Sequence, residues 1–343
     1  MNTALRPMRL GEVLDRTFQI YRARVLLFAS IGALTASGTL VVVLVFRHAW
    51  PITGLLSRGL ELSPRVAGYL ASWFNAHFTM AFHAMLFPIY IACTSAVVFG
   101  GEASLRRGIG LVRARWRTYA WLGALKILLQ MVVPEAVLVG FLAVVGLMAD
   151  RMNSDGPLFN TMMWTFVGAC CVFSLLVVFW LWPRLAFSFP ACVSESLSAR
   201  AAVRRSIRLA RGRGWSIVLV WATVWMANSI VWATLRYACW QLVSVLFRGH
   251  RLEPIAQRLF LVSLYGTWWV FAALVAPIYP IAVTLLYYDQ RIRKEGFDIE
   301  WLMQSTGMVS ADAPAQSGDE PAVVVAGSGA GDGASVPVED VGA

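Results

Sequence analysis

Six long apolar stretches dominate this sequence and limit what it can fold into. Each is long enough to cross a hydrocarbon core about 30 Å thick as an α-helix. Of the 343 residues, 58% are apolar or aromatic and only 14% are charged. A water-soluble fold of this length has too little interior to bury so much apolar surface. The sequence therefore predicts an all-α integral membrane protein, with spans at about 25–46, 77–99, 119–149, 160–193, 215–247 and 259–288.

The basic residues are divided unevenly between the segments outside these spans. Nineteen Arg and Lys residues lie in the N-terminal segment, the second and fourth loops and the start of the C-terminal tail, against seven in the other three loops. Loops rich in Lys and Arg stay in the cytoplasm. We therefore expect a plasma (inner) membrane protein with both termini cytoplasmic, and a basic cytoplasmic segment over 1–24. The six-span membrane domain covers 25–304. The stretch 305–343 has six acids and no apolar period, which predicts a disordered acidic cytoplasmic tail.

A short basic segment with the same layout precedes each odd-numbered span. The three copies read LDRTFQIYRARV from Leu14, LRRGIGLVRARW from Leu105 and VRRSIRLARGRG from Val203. Arginine recurs at three positions of this pattern, at offsets of 91 and 189 residues. The chain therefore reads as three repeated hairpins, each made of a basic amphipathic helix, an outward span and an inward span with a proline.

The apolar residues of these segments fall on one stripe of a helix. They are Leu14, Phe18, Tyr21 and Val25 in the first copy, and Leu105, Ile109, Val112 and Trp116 in the second. A helix with such a stripe opposite arginines lies in the membrane interface. It is either a simple interfacial linker or a surface that binds anionic lipid or a partner. The arginines of that candidate surface are Arg16, Arg22, Arg24, Arg107, Arg113, Arg115, Arg205, Arg211 and Arg213.

Four charged residues inside the spans form a candidate intramembrane polar site. They are Lys126, Glu135, Arg184 and Arg236. An intramembrane carboxylate is a functional hypothesis, so Glu135 is either part of a proton or ion path or a structural residue, neutral or paired. Arg236 either rests on Trp232 and Trp240 or forms a salt bridge with Glu135. We expect Lys126 to reach towards the nearer interface, and Arg184 to be buried against protein or to line a polar pocket.

The sequence lacks the spacings that metal and cofactor sites need. The five cysteines have no metal-ligand spacing, and the histidines, His48, His77, His83 and His250, form no pair at i, i+4 with another ligand. Neither a nucleotide-binding loop nor a hydrolase motif is convincing. We therefore expect no metal, no cofactor and no enzymatic activity. Membrane topology already explains the positive charge, so no nucleic-acid partner is expected.

Three motifs stand out, two of which overlap copies of the repeat. They are RPMRLGEVLDRTF at 6–18, the arginine-rich stretch 204–215 and YYDQRIRKEGFD at 287–298. Together they resemble the bacterial glycerophosphoryl diester phosphodiesterase membrane-domain family, mostly uncharacterised multi-span proteins, over about residues 5–303. The resemblance implies a membrane module without the catalytic domain, because that domain would need a soluble barrel of about 250 residues.

These features favour a non-catalytic membrane protein that interacts with lipids or docks a partner. The alternative is a transporter or permease for a small or lipidic substrate that uses the candidate polar site. The expected partners are the phospholipid bilayer, its anionic lipids, and a membrane or cytoplasmic protein.

The distribution of basic residues predicts the topology directly. Reporter fusions after Arg151 and Arg251 are expected to lie outside the cell, and fusions after Arg117, Arg211 and Ala343 in the cytoplasm. Paired alkaline phosphatase and fluorescent-protein reporters measure the two outcomes. An outside signal from the fusion after Ala343 would overturn the six-span topology.

Overall fold

The computed structural model describes residues 6–59, 64–140, 144, 157–246, 254–299 and 303. In that part of the chain every regular element is helical. The α-helices are α1 (Leu10–Ala23), α2 (Val25–Gly59), α3 (Pro64–Val98), α4 (Leu105–Ala114), α5 (Trp116–Ile127), α6 (Pro157–Leu185), α7 (Ser188–Ser194), α8 (Ala199–Ala210), α9 (Gly214–Leu246), α10 (Pro254–Val275) and α11 (Ile278–Glu295). A π-helical turn, Leu128–Val132, follows α5, and the chain is α-helical again at 133–140.

Six helical segments in the described residues are long and apolar enough to cross a membrane, which confirms the predicted all-α membrane fold. They are Val25–Val45, Ser72–Val98, Trp116–Gly140, Trp164–Ser194, Gly214–Leu242 and Val262–Glu295. The predicted tail at 305–343 and the far end of the predicted third span lie outside the described residues.

The basic helices α1, α4 and α8 end in the same way. At each end an arginine N–H donates to a carbonyl three residues back at 3.2 Å, in the pairs Arg24–Tyr21, Arg115–Val112 and Arg213–Ala210. The carbonyl of the same arginine then accepts from the N–H four residues on, at 3.1–3.3 Å, from Phe28, Tyr119 and Ile217. Those three side chains are all buried. Each set is related by the offsets of 91 and 189 residues.

The buried face of α1 is shifted along the sequence by one position from the predicted apolar stripe of Leu14, Phe18 and Tyr21. Val13, Thr17 and Ile20 are buried, whereas Phe18 is 54% exposed. The positions equivalent to Thr17 are Gly108 and Ser206, and both are buried. A small residue at this position lets each basic helix approach the bundle closely. At Gly108 a Cβ atom would lie 3.0 Å from Ile89 Cγ2 on α3.

Prolines in the even-numbered spans interrupt the helices to different degrees. Pro88 is accommodated inside the continuous helix α3. Pro183 lies two residues before α6 ends, and Pro277 lies in the turn between α10 and α11. A proline ring removes one backbone donor and crowds the preceding turn, so a helix break close to it is expected.

The spans are buried to very different extents. In the sixth span 56% of the residues in the most apolar stretch are buried, whereas in the fourth and fifth spans 11% are buried. Almost every residue of α11 from Pro280 to Ile292 is buried, in a core shared with Phe28, Ile89 and Phe187. The exposed apolar side chains of α6 and α9, such as Trp180 and Trp225, form surfaces suited to lipid.

Close packing of α2 on α10 generates a prediction at Gly32. A Cβ atom there would lie 1.9 Å from the carbonyl oxygen of Ala273. This is a backbone atom, so relieving the clash requires one of the two helices to shift. Gly32→Ala is therefore expected to lower the free energy of unfolding by roughly 1–3 kcal/mol. Thermal unfolding in detergent measures it. Gly168→Ala is the control, because a Cβ at Gly168 meets nothing within 4 Å. Equal stability of the two variants would contradict this packing.

Candidate functional site

The last two turns of α11 and the residues that contact them form a dense polar network. We call this network the α11 hub; its α11 members are Tyr287, Tyr288, Asp289, Arg291, Arg293, Lys294 and Glu295, and its principal partners are Glu195 and Arg205. The helix ends at Gly296, whose φ of +66° is left-handed and whose N–H donates to the carbonyl of Ile292. Glycine tolerates this left-handed conformation, which ends the helix. α11 therefore ends directly after its charged residues.

Glu195 and Glu295 share Arg205 at the centre of the hub. The Nε of Arg205 donates to both carboxylate oxygens of Glu195 at 2.9 and 3.0 Å, and its Nη1 lies 2.5 Å from Glu295 Oε1. Burial alone would lower the pKa of Arg205, but its hydrogen bonds and charge interactions with Glu295 and Glu195 outweigh burial and raise that pKa. The guanidinium therefore stays charged.

Two further α11 residues complete this ionic cluster. Arg291 Nε lies 3.2 Å from Glu295 Oε2 and 3.7 Å from Glu195 Oε1. Tyr287 donates its hydroxyl to Glu195. The charged side chains of the cluster are only 13–26% exposed. Charge-assisted hydrogen bonds in such shielded surroundings are stronger than surface ion pairs, so the cluster holds α8 and the end of α7 against α11.

Asp289 ties the N-terminal segment to α11. Its side chain accepts hydrogen bonds from the backbone N–H of Met8 at 2.7 Å and from Arg293 Nε at 2.9 and 3.0 Å. Arg293 Nη2 also donates to the carbonyl of Met8 at 2.6 Å. Both backbone groups of one residue are thus held, and the first and last of the three sequence motifs meet in space.

Tyr288 and Lys294 extend the hub to other helices. The hydroxyl of Tyr288 donates to Ser95 Oγ on α3 at 2.8 Å and lies 3.0 Å from Ser194 Oγ on α7. Lys294 Nζ donates to three carbonyls at the end of α8, those of Arg208, Leu209 and Arg211, at 2.8–3.3 Å. A cation here complements the negative end of the helix.

The nine arginines predicted to form one lipid or partner surface have different environments. Arg205 lies in the hub, and Arg115 Nη2 donates to the carbonyls of Ser196 and Leu197 at 2.8 and 3.2 Å. Arg107 Nη2 lies 3.3 Å from Glu102. The exposed ones are Arg22, Arg24, Arg107, Arg113 and Arg211, and the half-buried ones are Arg16, Arg115, Arg205 and Arg213.

The four residues of the predicted intramembrane site are not brought together. Glu135 accepts a hydrogen bond from Trp73 Nε1, and its Oε2 lies 3.3 Å from His77 Nε2. His77 Nδ1 lies 2.7 Å from the carbonyl of Trp73. The acid is therefore held by α3. Arg236 is exposed, and the ion pairs of the described residues do not include one between Arg236 and Glu135.

Arg184 folds back on its own helix. Its guanidinium lies 3.5 Å from the centre of the Trp180 ring, and its Nη1 donates to the Trp180 carbonyl at 2.8 Å. The side chain is half-buried and beside an exposed tryptophan. This placement matches a cation that covers apolar surface with its stem and stacks on a ring.

Lys126 lies between two aromatic rings. Its Nζ is 5.8 Å from the centre of Phe87 and 5.4 Å from the centre of Phe189. Cation–π contacts stabilise by about 0.5–2 kcal/mol, whereas a lysine at the middle of a membrane helix costs about 2.5–3.5 kcal/mol. The rings therefore offset only part of the cost, and in the described part of the chain no carboxylate pairs with this cation.

The residue-based prediction of sites missed the acids of the hub, Glu195, Asp289 and Glu295. A signal was present, because acids are rare in the arginine-rich segments between spans. An acid that lies among so many arginines is expected to form an ion pair with one of them. That inference leaves open which arginine it binds.

In the described residues, six membrane-capable helical segments have apolar exposed faces, and the polar hub links the second, fourth and sixth of them at one end. These features define a multi-pass membrane protein. Residues 157–306 match the family model of the membrane domain of glycerophosphoryl diester phosphodiesterase. The match confirms the predicted resemblance over that range, which contains α6 to α11 and most of the hub. No curated protein and no solved structure matches the chain.

The hub predicts a stability difference between two adjacent arginines. Arg205→Gln leaves Glu195 and Glu295 without their shared cation, so we expect the free energy of unfolding to fall by roughly 1–3 kcal/mol. Arg204→Gln is the control, since Arg204 is exposed on the same helix. Chemical unfolding in detergent measures both. Equal effects of the two substitutions would show that the ionic cluster contributes nothing to stability.

Proposed function

We propose that this chain is a non-catalytic membrane module that binds an anionic phospholipid. In this proposal the acyl chain lies in a groove between α9 and α10, and the headgroup lies at the arginines that end α1. The observation that carries the proposal is the groove itself. The acids of the hub already bind arginines, which favours a structural rather than a catalytic role for them.

The groove has the size and lining of an acyl-chain site. It has a volume of about 490 Å³ and is lined mainly by apolar atoms, including those of Val231 and Leu235 on α9 and Gly266, Val270 and Leu274 on α10. Ligand sites typically have volumes of about 300–1,000 Å³. The α10 lining continues to Val275, a rise of about 14 Å from Gly266. That is about half of the hydrocarbon core, the depth of one leaflet.

One end of the groove lies beside α1. The hydroxyl of Tyr21 donates to the carbonyl of Leu274 at 2.8 Å. Burial raises the pKa of Tyr21, so the hydroxyl remains a donor. Arg22 and Arg24 follow directly and are exposed. A base near the surface contributes on the order of 1 kcal/mol towards anionic lipid, so these two favour an anionic headgroup at this end.

The proposal includes the repeated architecture and its orientation. The three basic helices would each begin one hairpin, at the inner face of a plasma (inner) membrane with both termini in the cytoplasm. The matching hydrogen bonds at Arg24, Arg115 and Arg213 support the repeat. So do the small buried residues at position 17 and its equivalents, Gly108 and Ser206. The orientation rests on the positive-inside rule.

Filling the groove tests the proposal. Gly266 lines the groove and a Cβ there meets nothing within 4 Å, so Gly266→Leu adds apolar volume at the groove with open space at its first side-chain atom. We expect it to weaken binding of phosphatidylglycerol at least threefold, measured by native mass spectrometry of protein released from nanodiscs. Gly168→Leu on α6 is the matched control, since a Cβ there also meets open space. Unchanged binding by the Gly266 variant would refute the groove as an acyl-chain site.

The headgroup is tested separately with a pair of arginines. Arg22→Gln with Arg24→Gln is expected to reduce the preference for phosphatidylglycerol over phosphatidylcholine roughly tenfold. The control is Arg200→Gln with Arg204→Gln, which removes two exposed charges from α8. If both double variants lose the same preference, the arginines act only through net charge.

A further inference from the structure

Two side chains of the third span carry hydrogen-bond donors that the described protein groups do not match. Gln130 is 5% exposed, and its Nε2 has no hydrogen-bond partner. Lys126 Nζ contacts the rings of Phe87 and Phe189, and none of the hydrogen bonds or ion pairs of the described residues involves it. A buried donor without an acceptor is costly. Gln130 Nε2 is one of seven buried side-chain polar atoms without a partner in the described residues, and it is the one that lies a helical turn from the Lys126 cation.

The two residues lie on one side of the helix where its hydrogen bonding changes. Four residues separate them, about one helical turn, so their side chains leave the axis on the same side. Gln130 lies within the π-helical turn Leu128–Val132. Pro134 has no N–H to donate to the carbonyl of Gln130, which explains why the helix widens there. Such π-helical turns occur frequently at functional sites.

The charges in the neighbouring part of the bundle leave Lys126 as a cation that lacks an anion. Glu135, the acid further along the same span, is held by Trp73 and His77 on α3. Arg184 is itself a cation and binds a carbonyl and a ring of its own helix, so it supplies no anion for Lys126. The aromatic rings around Lys126 favour a cation but cannot neutralise it.

We propose that the Lys126 ammonium and the Gln130 amide form an intramembrane binding site for an oxyanion of the phosphate class. The ammonium has three donors and the amide two. Phosphate oxygens accept charge-assisted hydrogen bonds from such donors. The oxyanion is carried by a phospholipid headgroup or is free phosphate. This site is separate from the groove between α9 and α10, so it goes beyond the proposed function and does not depend on it.

The test measures binding of two probes to the purified full chain in detergent. Short-chain dihexanoyl phosphatidic acid and inorganic phosphate are titrated separately, with native mass spectrometry for the lipid and ³¹P NMR for the ion. The variants are Lys126→Met, which removes the charge, and Gln130→Leu, which removes the amide at similar volume. Lys126→Arg keeps the charge. Arg184→Gln is the control, because Arg184 is a cation of the adjacent span held by its own helix.

We expect Lys126→Met and Gln130→Leu to raise the dissociation constant at least tenfold, with Lys126→Arg closer to wild type and Arg184→Gln unchanged. Loss of binding for both probes identifies free phosphate as sufficient, and loss for the lipid alone identifies the headgroup. Gln130→Leu keeps the test decisive if Lys126→Met does not fold. Wild-type binding by the folded variants would overturn the site. Binding lost in Gly266→Leu but kept in Lys126→Met would assign the lipid to the groove instead.

Discussion

Burial of a polar helix is the constraint on which the described bundle depends. α11 is enclosed from Pro280 to Ile292, yet this stretch carries two tyrosines, an aspartate, a glutamine and an arginine. A buried polar group without a partner costs roughly 1–3 kcal/mol, so neighbouring elements must supply partners. The N-terminal segment, α3, α7 and α8 each do so, through Met8, Ser95, Glu195 and Arg205. These contacts therefore hold four other elements against α11.

Packing density divides the spans into two groups. At Gly32 and Gly38 the absence of a side chain lets α2 come very close to Ala273 and Phe82. In lipid, small residues that permit such contact are a main source of helix association. The fourth and fifth spans lack comparable burial and expose large apolar surfaces. The groove forms on this looser side, where α9 leaves room beside α10 and lipid is the natural neighbour.

The charged side chains inside the spans are stabilised in three different ways, which the sequence alone does not distinguish. Glu135 is bound across helices by Trp73 and His77. Arg184 uses a ring and a carbonyl of its own helix. Lys126 lies between rings of two other helices. Sequence reasoning identified all three as unusual, because each is a charge within an apolar run. Their partners depend on helix rotation and crossing, which a linear pattern does not contain.

The sequence by itself determined the helical class and the six membrane-capable spans, because apolar length acts locally along the chain. It placed a proline in each even-numbered span, but the structure decided that Pro88 stays inside a continuous helix while the helices break near Pro183 and Pro277. The tertiary structure alone decided which arginines are bound. Arg204 and Arg205 are identical in type and adjacent in the chain, yet only Arg205 reaches Glu195 and Glu295. Adjacent residues on a helix point about 100° apart, and a distant helix, α11, selects the direction that is buried.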